Sequence, residues 1–264
     1  MIELAERPRS TWWGLIRLTP AACWWRLLAV EVLFGAADLA VLTFCTTLGG
    51  SGLWAASDTL RLAVSGLIAA WGWSAKLRIL DGGHGILSAL RPDPRRIGRL
   101  AAWLVALDVL GLLRLLIHID IETYTAVVFS PAMAVVYLGS LYLAFAAALL
   151  PMVILLQGQG LRRAWGLSHG GRRTVLRVLP VVLLGALVIE VLEHWQAVVL
   201  STSPQPPYFF LVQAAGLLVR VPLGTLTAVL LYVAFRLSSP VPAGVDGGRS
   251  RPTGAAAVPV PRDT

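Results

Sequence analysis

Histidine and carboxylate side chains recur in this chain at a spacing that could serve a metal site. The run EVLEH at 190–194 places Glu190, Glu193 and His194 on one helix face, because residues three and four apart are neighbours there. His118 comes from another segment that we expect to end at the same surface. Zinc-binding helices supply two histidines at this spacing, and this run has only one. A metal-dependent enzyme that uses His118, His194 and Glu190 is therefore one hypothesis, but we assign no metal ligand.

Other catalytic patterns are missing from the sequence. It contains no Walker A loop, no dinucleotide-binding glycine fingerprint and no Gly-x-Ser-x-Gly elbow. Ser168 and His169 are adjacent in the chain, which places them poorly as a nucleophile and its base. We therefore expect no catalytic residue and no cofactor, and we favour a non-enzymatic role.

Charged side chains also lie inside apolar stretches, where a charge is costly to bury. At about 1.5 Å of rise per helical residue, the four nearest the middle of a membrane are Asp38, Asp108, Glu190 and Arg220. Two others, Arg61 and Arg114, lie towards the outer leaflet. Arg61 shares a helix face with Asp58 at i,i+3 spacing. Arg114 and Arg220 must find partners on other helices, for which Glu190 is the best acceptor.

These intramembrane charges have two interpretations. They line a polar cavity that binds a polar or charged solute or a lipid headgroup, or that relays protons. Alternatively, they form interhelical pairs that fix the packing of the bundle. Both interpretations require partners, because an unpaired charge at mid-bilayer costs several kcal/mol.

Six apolar stretches must position these residues. A helix needs about 20 apolar residues to cross a bilayer. The chain is 57% hydrophobic and 14% charged, with a mean hydropathy of +0.75, whereas soluble domains carry roughly a quarter charged residues. We predict an all-α integral membrane protein with a six-helix membrane domain over 27–237. Its transmembrane helices are predicted at 27–48, 56–76, 100–121, 127–155, 176–198 and 209–236.

The basic residues fall on one side of these stretches. Of the 22 lysines and arginines, all but Arg61, Arg114 and Arg220 lie in segments that share that side. Cytoplasmic loops retain positive charge during insertion, so both termini are predicted to be cytoplasmic. Residues 1–26 are predicted to form an amphipathic cytoplasmic elbow. Residues 238–264, rich in Pro, Gly and Ala, are predicted to be a disordered cytoplasmic tail.

The net charge of +8 indicates a lipid partner rather than nucleic acid. The basic residues flank apolar stretches, which suits the anionic cytoplasmic leaflet, instead of covering a water-soluble surface. They either bind anionic headgroups or simply anchor the helices at the interface. The residues expected there are Arg95, Arg96, Arg162, Arg163, Arg172, Arg173 and Trp165.

Two inside connections share a pattern. Residues 80–99 and 156–177 each leave an apolar stretch through a pair of glycines, continue through a short amphipathic segment and pass an Arg-Arg pair. Residues 10–26 look like a degenerate third copy. The pattern predicts three repeats of an interfacial elbow followed by a helical hairpin, although basic loops between membrane helices can also converge on such features.

Two short motifs carry a family resemblance. An elbow of the form G-x-x-x-A-x-x-x-S is present at Gly160, Ala164 and Ser168. An ending of the form LLY-x-x-x-R is matched at Leu231, Tyr232 and Arg236, with Ala234 where an acidic residue is usual. With these motifs the chain resembles the six-helix membrane domain attached to some glycerophosphodiester phosphodiesterases, and its stand-alone, mainly actinobacterial, relatives.

The resemblance implies a multi-pass protein of the bacterial cytoplasmic membrane. The phosphodiesterase activity of that family belongs to a separate soluble domain, for which six spans in 264 residues leave no room. We therefore expect a non-enzymatic membrane module in an envelope, lipid or transport process. The alternative is a transporter or an ABC-type permease subunit, with a partner membrane protein or ATPase, that uses the mid-membrane Asp, Glu and Arg residues.

Overall fold

The computed structural model describes residues 21–50, 54–112, 131–170, 172–202 and 206–238, and within them the chain is helical apart from short connections. The prediction of an all-α chain is confirmed for these residues. The helices are α1 (Ala21–Gly50), α2 (Trp54–Gly82), α3 (Ile86–Ala89), α4 (Pro94–Leu112), α5 (Pro131–Ala147), α6 (Leu150–Gln157), α7 (Leu161–Ser168), α8 (Arg172–Thr202) and α9 (Pro206–Ser238).

The longest helices coincide with predicted apolar stretches. Residues 27–48, 56–76, 176–198 and 209–236 lie inside α1, α2, α8 and α9, and α4 contains the first part of 100–121. Two described segments, Cys23–Cys45 and Leu211–Ser238, are long and apolar enough to cross a membrane, while Leu141–Gln157 and Val178–Ile189 are shorter apolar helices. The number of crossings and the side on which the termini lie stay predictions.

The stretch 127–155 holds two helices in its described part, α5 and α6, separated by a turn at Ala148–Leu149. The turn precedes Pro151, which has no N–H for a bond to the carbonyl of Ala147 and whose ring would clash with that carbonyl in a continuous helix. Ala148 N instead donates to Phe145 O over 3.2 Å. The result is a short α6 whose residues 150–155 are all buried.

Helix packing sets up two antiparallel pairs joined by α9. The α1 and α2 helices make the most extensive contact, α2 also packs on α4, and α9 packs on both α8 and α1. Glycines allow close approach: a Cβ at Gly35 of α1 would lie 3.0 Å from Leu217 Cδ2 of α9, and one at Gly72 of α2 would lie 3.2 Å from Phe34 Cγ. These contacts bring α1, α2 and α9 together around one volume.

Both inside connections end a helix in the same way. Gly83 after α2 has a φ of +62° and Gly158 after α6 has a φ of +68°, which is left-handed backbone that glycine adopts without steric cost. A short helix follows each glycine, α3 in one case and α7 in the other.

An arginine from a neighbouring helix binds each of these glycine turns. Arg26 Nη1 of α1 donates to Gly83 O over 2.9 Å and to His84 O over 3.3 Å. Arg99 Nη1 of α4 donates to Gly158 O over 2.8 Å, and Arg96 Nη1 donates to Leu155 O over 2.6 Å. Carbonyls that a helix end leaves without an intrahelical partner are thereby satisfied.

Candidate functional site

A polar cavity lies between α1, α2 and α9 in an otherwise apolar part of the bundle. Its volume is about 340 Å³, within the range of small-molecule sites. Charged side chains reach it from all three helices. Its polar lining consists of Glu31 and Asp38 on α1, Ser65 and Lys76 on α2, and Arg220 on α9.

Glu31 and Lys76 form an ion pair at one end of this cavity. Lys76 Nζ lies 2.8 Å from Glu31 Oε2, and the two side chains are 8% and 22% exposed. The ammonium also lies 4.4 Å from the centroid of the Trp73 ring, a favourable cation–π geometry. Gly224 of α9 faces Glu31 so closely that a Cβ there would overlap the carboxylate. The absence of a side chain at Gly224 therefore makes room for the pair.

Asp38 and Ser65 form the next polar contact along the same two helices. Ser65 Oγ donates to Asp38 Oδ1 over 2.6 Å, and both side chains are half-buried. This hydrogen bond orients the carboxylate towards α2. No cation of the described residues lies within ion-pair distance of Asp38, so its charge is compensated by a hydroxyl donor alone.

Arg220 is the third charged element of the cavity. The antiparallel contacts of Gly35 with Leu217 and of Gly224 with Glu31 place Arg220 at a level between Glu31 and Asp38. Nevertheless, its guanidinium has no hydrogen-bond or ion-pair partner among the side chains that the structure describes. The cavity thus carries a cation that its own described lining does not neutralise.

A second polar cluster, the α2–α9 clasp, consists of Asp81, Tyr232 and Arg236. Tyr232 Oη donates to Asp81 Oδ1 over 2.9 Å, Arg236 Nε donates to Tyr232 Oη over 3.0 Å, and Arg236 Nη2 also contacts Asp81 Oδ1. The i,i+4 spacing of Tyr232 and Arg236 lets both reach one carboxylate. The clasp joins the end of α2 to the end of α9.

Aromatic rings surround the end of α7. Trp165 and His169 stack with centroids 5.2 Å apart and an interplanar angle of 18°, and Tyr142 and Phe145 of α5 approach His169 edge-on. Ser168 is fully buried and its hydroxyl donates to Ala146 O over 3.4 Å. These contacts attach α7 to α5, and Ser168 serves that attachment.

Of the other candidate residues, those predicted at headgroups are mainly exposed. Arg95, Arg162 and Arg163 are exposed, as is Trp165. Arg96 is also exposed, but its guanidinium is engaged by Asp93 at 3.3 Å as well as by the Leu155 carbonyl.

Arg61 is half-buried in α2 and does not line the cavity. The partner predicted for it, Asp58, has a side chain outside the described ones.

Several predicted residues lie outside what the structure describes. Arg114 and His118, the N-terminal elbow up to residue 20 and the tail from residue 239 are outside the described residues. The side chains of five further candidates are not described either, although their helices are: Asp108, Arg172, Arg173, Glu190 and His194. Among the described side chains no three His, Cys, Asp or Glu come together, and the hypothesis of a metal site at His118, His194 and Glu190 stays a prediction.

Sequence reasoning missed the role of Lys76. That lysine was grouped with the basic residues of the cytoplasmic side, yet its side chain is buried and faces Glu31. Glu31 was counted among intramembrane charges without a partner. A usable signal existed, because the two residues lie at similar distances along the chain from the GGSG turn at 49–52, and such positions meet in an antiparallel hairpin.

Comparison with known proteins finds no family model, no curated protein and no solved structure that matches this chain.

Proposed function

We propose that this chain is a six-span helical protein of the bacterial cytoplasmic membrane, with both termini inside, and that its non-enzymatic membrane module binds a small polar ligand or lipid headgroup. The observation that carries the proposal is the cavity between α1, α2 and α9. Charged side chains from three helices face it, and Arg220 has no partner among the described side chains. A purely structural pairing network would leave no such cation.

The outer faces of the helices support the membrane assignment. Large apolar side chains are widely exposed, including Leu218 at 78% and Leu187 at 61%. Contiguous exposed apolar surface of this kind marks a membrane or partner interface. Together with two segments of spanning length and the one-sided distribution of basic residues, it favours burial in lipid.

Three elbow-plus-hairpin repeats are part of the proposal. The two described elbows share a left-handed glycine, a short helix and an arginine that donates to the glycine carbonyl. Arg26 and Arg99 occupy comparable places near the beginnings of α1 and α4. This correspondence supports a common origin for the hairpins, as the resemblance to the phosphodiesterase-associated membrane domain implies.

Transport is a second candidate function, and one feature favours it. Pro222 lies inside α9, two residues after Arg220. A proline inside a helix removes a backbone hydrogen bond and permits a bend. A bend at this position would move Arg220 relative to α1, which a solute carrier or permease subunit requires and a static anchor does not.

The proposal is tested by native mass spectrometry of the protein released from lipid nanodiscs. We expect the wild type to retain a lipid or small polar molecule and Arg220→Ala to lose it. Arg61→Ala is the matched control, because Arg61 is also a half-buried arginine but does not line the cavity. Equal retention by all three proteins, or none by any, would contradict binding at this site.

The topology is tested separately by cysteine labelling. Gly85 lies exposed in the elbow after α2. In a chain whose two native cysteines are replaced, Gly85→Cys is expected to react with a membrane-impermeant thiol reagent in inside-out vesicles and not in intact cells. The reverse result would invert the proposed orientation.

A further inference from the structure

We infer that the ligand of the cavity is a zwitterion, whose ammonium group binds Asp38 and whose anionic oxygens bind Arg220. The inference rests on the proposed function and specifies its ligand. It follows from one juxtaposition: Asp38 on α1 and Arg220 on α9 line the same cavity with opposite charges, and they form no ion pair with each other within 4.0 Å.

The other two charges of the cavity are already matched. Lys76 Nζ lies 2.8 Å from Glu31 Oε2 and over the Trp73 ring. Lys76 is also only 8% exposed, so a ligand would have to separate a buried pair to use either group. Asp38 and Arg220 are therefore the charges that remain for a ligand.

Ser65 prepares Asp38 for a donor. Its hydroxyl donates to Oδ1 over 2.6 Å, which holds the carboxylate in place and leaves the second oxygen without a partner among the described residues. An ammonium group donates up to three hydrogen bonds and fits that vacancy. A guanidinium offers a planar fork of donors, which matches a phosphate or carboxylate.

Ligands with a single charge fit this cavity less well. A simple anion would satisfy Arg220 and leave the Asp38 carboxylate without a cation. A simple cation would do the reverse, and a neutral solute would compensate neither. Because uncompensated charge inside a membrane costs several kcal/mol, a zwitterion is the ligand class that stabilises both side chains at once.

The spacing limits the size of the zwitterion. The contacts of Gly35 with Leu217 and of Gly224 with Glu31 set the antiparallel register of α1 and α9. In that register Asp38 and Arg220 differ in level by three to six residues, or roughly 5–9 Å along the helix axis. An ammonium and an oxoanion joined by a short linker span this distance, as in an aminoethyl phosphate group. That chemistry occurs in the headgroup of phosphatidylethanolamine and in free 2-aminoethyl phosphate.

The test uses full-length protein in nanodiscs of phosphatidylglycerol, a lipid without an ammonium group. Three soluble probes are titrated by calorimetry: 2-aminoethyl phosphate, ethyl phosphate and ethanolamine. A parallel arm adds phosphatidylethanolamine to the nanodiscs and measures its retention by native mass spectrometry. The soluble arm detects a free zwitterion and the lipid arm detects a headgroup.

We expect a zwitterionic probe, soluble or lipid, to bind at least about tenfold more tightly than its singly charged counterparts, which corresponds to about 1.4 kcal/mol. Asp38→Asn should abolish the preference over ethyl phosphate or phosphatidylglycerol, and Arg220→Gln the preference over ethanolamine. Arg61→Gln should change neither. Ser65→Ala should weaken the ammonium preference in part, and serves as a milder variant should Asp38→Asn fail to fold.

The outcomes separate this inference from the proposed function. Tight binding of a singly charged probe, with no gain from the second charge, overturns the zwitterion and leaves a polar binding site. Absence of any retained ligand or binding probe overturns both. A zwitterion preference that survives both Asp38→Asn and Arg220→Gln overturns the assignment of its two groups to these residues.

Discussion

Removing either member of the Glu31–Lys76 pair should destabilise the bundle much more than removing an exposed ion pair. The perturbations are Glu31→Gln and Lys76→Met, singly and together. Each single substitution leaves a charge beside the cavity without its partner, while the double substitution removes both charges and approximately conserves volume.

The expected magnitude follows from the geometry of the pair. At 2.8 Å between Nζ and Oε2, and with an effective dielectric constant of about 20, the Coulomb attraction is about 6 kcal/mol before desolvation is subtracted. Breaking a buried pair from one side typically costs about 3–5 kcal/mol, whereas apolar replacement of both members is often neutral. We expect about 3–5 kcal/mol for each single variant and a coupling energy of at least about 2 kcal/mol in the cycle.

The assay is reversible unfolding of the protein in mixed micelles, by titration with a denaturing detergent. Asp93→Asn provides the matched control, because Asp93 and Arg96 form a pair at 3.3 Å with side chains 40% and 47% exposed. That control should change stability by less than about 1 kcal/mol. If Glu31→Gln and Lys76→Met behave like the control, the pair lies in a watery environment and the description of the cavity is wrong.

Three further substitutions test other contacts by the same unfolding assay. Gly224→Ala places a methyl group against the Glu31 carboxylate and should destabilise by about 1–3 kcal/mol, whereas Gly185→Ala, with open space around it, should not destabilise; equal effects would show that α9 does not press on α1. Gly158→Ala meets no neighbouring atom but requires a φ of +68°, so it should cost about 1–2 kcal/mol, and a gain in stability would contradict that backbone conformation. Arg236→Ala removes the cation of the half-exposed α2–α9 clasp and should cost about 1 kcal/mol, a loss that high salt should reduce; no change at any salt concentration would mean the clasp contributes nothing.

Some of the site could be predicted from the α1–α2 hairpin alone. The GGSG turn at 49–52 lies nearly midway between Asp38 and Ser65, and also nearly midway between Glu31 and Lys76. Antiparallel helices bring such positions to the same level, and both pairs are in contact in the structure. The prediction failed for Lys76 because its charge was interpreted only as a signal for membrane orientation.

The contribution of α9 could not be predicted in this way. Which face of α9 meets α1 depends on packing between segments nearly 200 residues apart, where Gly224 admits the Glu31 side chain. Sequence position indicated that Arg220 lies deep in an apolar stretch. It did not indicate that Arg220 shares a cavity with Asp38.

Local chemistry explains the other differences from the sequence-based expectations. The apolar composition of 127–155 concealed the break before Pro151, which the missing N–H of proline makes necessary. The spacing of Tyr232 and Arg236 was recognised as a motif, but the carboxylate that both bind, Asp81, lies on another helix. Partners on distant helices are what a local pattern leaves undetermined.

An electron cryo-microscopy map of the protein in lipid nanodiscs of mixed phosphatidylethanolamine and phosphatidylglycerol most directly tests whether α1, α2 and α9 enclose a ligand site within the membrane. We expect the cavity to lie within the bilayer and to contain non-protein density that touches both Arg220 and Asp38, with Lys76 still bound to Glu31. A cavity that is closed by a direct contact of Arg220 with a carboxylate of the protein, with no density between the helices, would contradict the proposal.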